Sequence, residues 1–313
     1  MLMDPNELKT IIRLTYAGLS DGALLALIAL GLVLVYKATD VINFAHGEFM
    51  LLGSYIGYQL LLWLEPSITS LPLLSVTTVI GMISAMIMVG ILVERLILRP
   101  LIGEPIIAVI MVTIGLSNII QAIVGGIWGK TPQRLPIDII PFTESFSIEI
   151  EGGGRPLFLQ QESLFVVFTM LVMLMLLIMF FRYSKQGIAM RATADDQQAA
   201  MSMGISIQTI FAITWSLAAV TAGIAGLLIA DTTIGVSGDI PGVGLRAFPV
   251  IILGGLDSIT GAIVGGLAIG LIETFASNYI DPSLKNAVPY LVLLIVLMIR
   301  PYGLFGRQVI ERV

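Results

Sequence analysis

Apolar runs alternate with short polar stretches along the whole chain. They occupy 14–36, 45–64, 71–93, 105–128, 161–181, 207–230, 247–256, 261–280 and 287–299. A helix of about 20 apolar residues crosses roughly 30 Å of hydrocarbon, and most of these runs are long enough. The exception is "AFPVIILGGL" at 247–256, which is too short to span alone. It is followed by the polar "DSIT" and then the glycine-laden "GAIVGGLAIGLIE". Such a broken run predicts a discontinuous or re-entrant segment near 247–261, enclosed by protein or a water-filled cavity, because lipid cannot satisfy free backbone groups. The pattern predicts an all-α fold: a polytopic membrane helix bundle of about 8 transmembrane helices, built as a single domain over 1–313.

Side-chain size sorts the runs further. Residues 164–181 contain neither glycine nor alanine, so this helix is expected at the lipid-facing periphery. "AAVTAGIAG" at 218–226 and "GAIVGGLAIG" at 261–270 are built of small residues and should pack tightly inside. Gly254, Gly255, Gly261, Gly265 and Gly266 are the candidates for close helix packing.

Loop charges set an orientation. Lys37, then Arg95 and Arg99, then Arg182, Lys185 and Arg191 fall in alternate loops, which places those loops in the cytoplasm. Lys9 and Arg13 in the N-terminal tail run against this assignment. It puts the N-terminus outside and the C-terminus in the cytoplasm, with loop 129–163 on the extracytoplasmic side. In that acidic loop Phe146, Ile148 and Ile150 alternate with Ser147, Glu149 and Glu151, followed by "GGG" and "RPLFL". This is the pattern of a small β-hairpin, a candidate ledge for an external partner. The loop at 184–206, "SKQGIAMRATADDQQAAMSMGIS", predicts a short amphipathic helix outside the membrane that ends near Gly204.

Composition excludes much else. The chain is 57% hydrophobic, 12% charged and has a mean hydropathy of +0.99, which leaves too little polar surface for a water-soluble globule. With no cysteine there is no disulfide, cysteine-bound zinc or thiol chemistry, and one histidine makes no histidine-rich metal site. No cofactor and no nucleic-acid partner are expected; membrane lipid is. No signal peptide is evident, and the first run reads as a retained span. "GGIWGKT" at 125–131 resembles a phosphate-binding loop, but the glycine required five residues before Gly129 is Val124. If ATP powers this protein, another subunit binds it.

Several polar groups lie inside the runs: Asp21, Glu48 and Glu273, and a stripe of Thr113, Ser117 and Gln121 with Asn118 beside it. Intramembrane polar groups face a cavity or the bundle interior. Either a structural role or a place on a permeation path fits them. The stretch "VINFAHGEFMLLGSY" at 41–55 holds the chain's only histidine. Asn43 suits the cap of a helix starting near 45, whose free N–H groups would favour an anionic group. Gly47 permits close approach, and His46 and Glu48 either bond a substrate or lock the first two spans together. A serine–histidine–aspartate centre would need His46 as base, and no other feature supports an enzyme.

Three segments carry a resemblance. "GALLALIALGLVLVYKATDVINFAHGEFMLLGSY" at 22–55, "GIAMRATADDQQAAMSMGI" at 187–205 and "FPVIILGGLDSITGAIVGGLAIGLIE" at 248–273 resemble, in order and spacing, the LivH-type permeases of high-affinity branched-chain amino acid ABC importers. "QAAMSMG" at 198–204 is similar to the E-A-A-x-x-x-G loop with which such permeases dock on their ATPase, with Gln198 in place of the acid. The resemblance implies a transport subunit with four kinds of partner: a second homologous permease, two cytoplasmic ATP-binding subunits, an extracytoplasmic binding protein and the membrane. It implies branched-chain or other neutral amino acids as cargo, with urea or short amides as the alternative. It assigns coupling to Arg191, Asp195, Asp196, Ala199, Ala200 and Gly204. It also makes the amino acid carboxylate the anion that the "NFAHGE" turn would meet. Two other classes stay open: an ion-coupled secondary transporter using Asp21, Glu48 and Glu273, and a passive channel.

Overall fold

The computed structural model describes residues 4–140, 144–149 and 156–306. In chain order the helices are α1 (Pro5–Thr39), α2 (His46–Leu64), α3 (Leu71–Val93) and α4 (Ile106–Trp128). A hairpin of β1 (Ser145–Ile148) and β2 (Leu157–Gln160) follows, then α5 (Gln161–Tyr183), α6 (Lys185–Asp195), α7 (Gln197–Ser202) and α8 (Ile207–Ile229). The chain closes with α9 (Ile240–Leu245), α10 (Ala247–Gly254), α11 (Ile259–Tyr279) and α12 (Val288–Ile299). The protein is a multi-pass helical membrane bundle.

Among the described residues, 6 helical stretches are long and apolar enough to span: α1, α3, α4, α5, α8 and α11. The other two predicted spans differ for separate reasons. Helix α2 carries Glu48 and His46 in its first turn, and α12 has 12 residues, only about 18 Å at 1.5 Å per residue. The broken segment is present and starts earlier than expected. Helices α9 and α10 meet at Arg246, and Gly255 (φ 104°) ends α10. Helix α1 also begins early, because Pro5 suits its first turn and Asp4 accepts the Asn6 N–H at 3.0 Å.

Small residues let the central helices meet backbone to backbone. A Cβ added to Gly22 of α1 would lie 2.8 Å from the Gly266 carbonyl oxygen of α11, and one on Gly266 would lie 2.6 Å from the Ala26 nitrogen. Gly254 faces Gly261 across the α10–α11 contact, and Gly265 sits over the Val250 carbonyl. Helix α8 is buried along most of its length between α2 and α3, with Gly223 against Gly53 and Gly226 against the Met50 backbone. Helix α5 buries only Val166, Met170, Leu177 and Phe181, so it lies at the periphery.

The connections gather on two faces. Lys37, Asp40, Arg191, Asp195, Asp257 and Tyr302 border one cleft of about 800 Å³, on what we term the basic face. There the C-terminal segment satisfies the last carbonyls of α10, with Leu304 N–H donating to Leu253 O (2.8 Å) and Phe305 N–H to Gly254 O (3.0 Å). On the opposite, hairpin face, Asp231 accepts the Ile139 and Ile140 N–H groups at 2.8 and 3.0 Å. Gln133 and Val236 pair as an antiparallel bridge, and Tyr16 donates to the Gln160 carbonyl. The hairpin pairs Phe146 with Leu159 and Ile148 with Leu157. Ile150, Glu151 and the "GGG" link lie outside the described residues.

The loop at 184–206 forms two helices instead of one. Asp196 leaves the helical region (φ −159°), and its carboxylate accepts the Ala199 N–H at 2.9 Å. It therefore caps α7 and separates it from α6. Gly204 (φ 84°) then reverses the chain.

Candidate functional site

The site is built where α2 begins. After Asp40 (φ 54°) ends α1, residues 41–45 turn back into the bundle, and Asn43 is fully buried. Its side-chain oxygen accepts the Ala45 N–H at 3.0 Å, while its carbonyl accepts the His46 N–H at 3.4 Å. The expected cap thus acts one residue before the helix, and Ala45 takes the cap position. The tight turn engages the carboxamide oxygen before it can reach the first helical turn.

His46 is buried over Gly31 of α1 and beside Thr221 of α8; a Cβ on Gly31 would meet both. Among the described residues the Asn43 Nδ2 has no hydrogen-bond partner, and the His46 imidazole has only the Ile28 backbone of α1 within reach. Gly47 touches α9: a Cβ there would stand 2.9 Å from the Pro241 Cα, and Gly244 approaches the Gly47 Cα as closely. The start of α2 is therefore set against the start of the broken segment.

Helix α4 contributes unequally. Gln121 Nε2 donates to Glu48 Oε1 at 2.9 Å, and Thr113 Oγ1 accepts the Phe44 N–H at 3.4 Å. Ser117 is half-buried between them, whereas Asn118 turns to the exposed side and donates to its own Ile114 carbonyl at 2.9 Å. Phe44 also stacks on Phe248 of α10, with centroids 5.3 Å apart. The structure thus brings Asn43, His46, Gly47, Glu48 and Thr113 into one buried constellation, which the exposed Gln121 of α4 reaches through Glu48. Gly31, Thr221 and Pro241 complete it, and none of them carries a sequence signal that separates it from ordinary span residues.

The remaining intramembrane carboxylates are paired. Glu273, fully buried on α11, pairs with Arg246 at the α9–α10 break. Asp21 accepts from Lys285 Nζ at 3.0 Å. Arg246 escaped the sequence reading, although it is the one lysine or arginine between Arg191 and Lys285. A lone cation beside a broken apolar run was the available signal.

The coupling candidates lie on the basic face. Arg191 and Asp195 border the cleft with Lys37, Asp40 and Asp257. Ala200 is buried, Ala199 is exposed, and Gly204 turns the chain. Burial, then repulsion from Asp257, hold the Asp40 carboxyl above the usual aspartate range.

The family model described as branched-chain amino acid transport system / permease component matches residues 14–297. The chain is 33% identical over 306 residues to the high-affinity branched-chain amino acid transport system permease protein LivH of Salmonella typhimurium, covering 95% of this chain and 96% of the relative. It is 34% identical over 305 residues to the permease protein BraD of Pseudomonas aeruginosa, with the same coverage. It is 30% identical over 294 residues to a probable LivH permease of Methanocaldococcus jannaschii, covering 90% of this chain and 89% of the relative. No solved structure matches the chain. With the family model spanning nearly all of its membrane helices, the chain belongs to the branched-chain amino acid transport system permease family.

Proposed function

We propose that this protein is one permease of an ABC importer in the bacterial inner membrane. With a second, homologous permease it forms the pathway for branched-chain or other neutral amino acids. An extracytoplasmic binding protein delivers the cargo, and ATP hydrolysis on two cytoplasmic subunits drives its passage. The basic face is cytoplasmic, with the C-terminus there and the N-terminus outside. Helices α6 and α7, through Arg191, Asp195, Asp196, Ala199, Ala200 and Gly204, form the element that meets an ATPase.

The observation that carries the reading is the constellation at the start of α2. Asn43 and His46 are buried inside the bundle and the Asn43 Nδ2 lacks a partner among the described residues; polar groups placed inside a span face a cavity or the bundle interior and call for a functional explanation. The N-terminus of α2 presents free N–H groups to a carboxylate. Glu48, oriented by Gln121, is the complementary group for an ammonium, so the two ends of a zwitterion find opposite charges. Asp21 and Glu273 are neutralised by cations of the same chain, which favours this reading over an ion-coupled carrier.

The test is purification of the tagged chain in mild detergent, identification of what accompanies it, and reconstitution. Recovery of an ATPase pair and a second permease, with ATP-dependent leucine uptake that needs a binding protein, is expected. Uptake by the chain alone that collapses with uncouplers would replace this reading with the secondary transporter.

A further inference from the structure

A groove of about 450 Å³ runs between α3 and α5, floored by α8. Val79 and Ile83 line it from α3, Phe168 and Leu176 from α5, and Ile224 and Leu228 from below. Helix α5 is held on its other side, where Val166 and Met170 pack on Ala23 and Ala26 of α1. The groove therefore separates α5 from α3 over much of its outer length.

Its walls are apolar. Its lining holds three polar side chains, Ser75, Thr169 and Asp231; Thr169 Oγ1 donates to its own Phe165 carbonyl at 2.9 Å, and Asp231 is occupied by the Ile139 and Ile140 N–H groups. Water does not fill a space of this kind. The rims continue directly into the lipid-facing surface: Ile80 is 58% exposed and Phe168 61%, whereas Leu228 on the floor is 6% exposed. From Phe165 to Leu176 the groove follows α5 for roughly 16 Å at about 1.5 Å per residue. That is about half of the ~30 Å hydrocarbon core, the depth of one leaflet. The groove opens along its outer side to the surrounding lipid, and its apolar lining matches an extended hydrocarbon chain.

The end on the hairpin face is acidic. Asp138 and Glu162 stand close enough to Asp231 for their charges to act on it. An anionic headgroup is disfavoured at such a rim, and one carrying an amine is favoured.

We propose that this groove is a lipid site, seating one acyl chain of an amine-bearing phospholipid from the leaflet on the hairpin face. Because its floor is α8, which packs on the first turns of α2 through Gly226 and Met50, the seated chain wedges the helix that supports the constellation.

The experiment uses the full chain with the subunits that co-purify, in nanodiscs of phosphatidylethanolamine and phosphatidylglycerol. A phosphatidylethanolamine bearing a diazirine in mid-acyl chain is photolysed, and adducts are mapped by mass spectrometry. Adducts are expected at Ile224 and Leu228 on the floor as well as at Ile80 and Phe168 on the rims. The Val79→Trp variant, which fills the groove, should lower floor labelling severalfold and leave rim labelling unchanged; Ile83→Phe serves if Val79→Trp does not fold. A phosphatidylglycerol probe should label the floor more weakly. Rim labelling without floor labelling would overturn the site. Rim and floor both silent in the assembled complex would mean that a protein covers the groove. Equal or stronger floor labelling by the anionic probe would overturn the headgroup assignment.

Discussion

Gly47 shows how one absent side chain decides an arrangement. Its α-carbon faces Pro241, and a methyl group there would stand 2.9 Å from both the Cα and the carbonyl oxygen of that proline. These are backbone atoms that cannot rotate away. Gly47→Ala should force α2 and α9 apart at a cost of about 1–3 kcal/mol, read as a lower melting temperature of the purified complex, and should cut transport sharply. An unchanged melting temperature would mean that the two starts are not in contact. Asn43→Ala removes the acceptor of the buried Ala45 N–H. Leaving a buried donor unpaired costs about 1–3 kcal/mol, so the variant should be destabilised by that amount in thermal unfolding. His46→Gln separates two roles: if the imidazole only fills the space over Gly31, uptake should be nearly normal, whereas a contact with cargo should change the preference among neutral amino acids. Uptake competition assays decide between these outcomes.

At the scale of elements, the α9–α10 break depends on its ion pair. Breaking a buried pair by removing one partner costs about 3–5 kcal/mol, because the other charge is left uncompensated, while replacing both by apolar groups is far milder. Glu273→Gln should therefore destabilise the bundle and abolish transport, whereas Arg246→Met combined with Glu273→Leu should recover much of the stability. If the double variant melts as low as the single one, the pair is not what fixes α10 to α11. The turn after α1 gives a pH dependence. Asp40 is held above the usual aspartate range by burial and by Asp257. Its folded form thus binds a proton more tightly than its unfolded form, and this group raises stability as pH falls through that upper value. Asp40→Asn, an acceptable residue at a left-handed φ of 54°, should be modestly more stable at neutral pH. The advantage should fade on acidification. Melting curves of both proteins across the acid range check this; an Asn advantage that grows as pH falls would reverse the sign.

For the whole molecule, the distance between the basic face and the α2 start is the mechanical question. Gly204 adopts φ 84° with open space around it. Gly204→Val should strain that turn without any clash, so the chain should insert and assemble while ATP hydrolysis no longer drives uptake. Normal uptake by this variant would remove α6 and α7 from the coupling role. The cysteine-free chain allows a second readout: a single cysteine at 46, tested with a water-soluble thiol reagent in each transport state. Labelling that changes with ATP or binding protein is expected, and silence in every state would make the turn a dry packing contact.

The sequence by itself determined the class and most of the parts. Run length against bilayer thickness specified the spans, small residues marked the interior helices, and alternation marked the hairpin, because each depends on neighbours along the chain. Even there, local chemistry had a say that hydropathy could not register, as when Pro5 and Asp4 extended α1 and Asp196 divided the coupling loop. Only the tertiary structure decided which polar residues meet. Thr113 and Gln121 reach the α2 start while Asn118, one turn away, does not. Asp21 and Glu273 found cations 264 and 27 residues off. Gly31 and Pro241 became walls of the site. Helical periodicity places a residue on one side of its own helix, but which side faces what is set by the packing of elements far apart in the chain, and no local pattern encodes that.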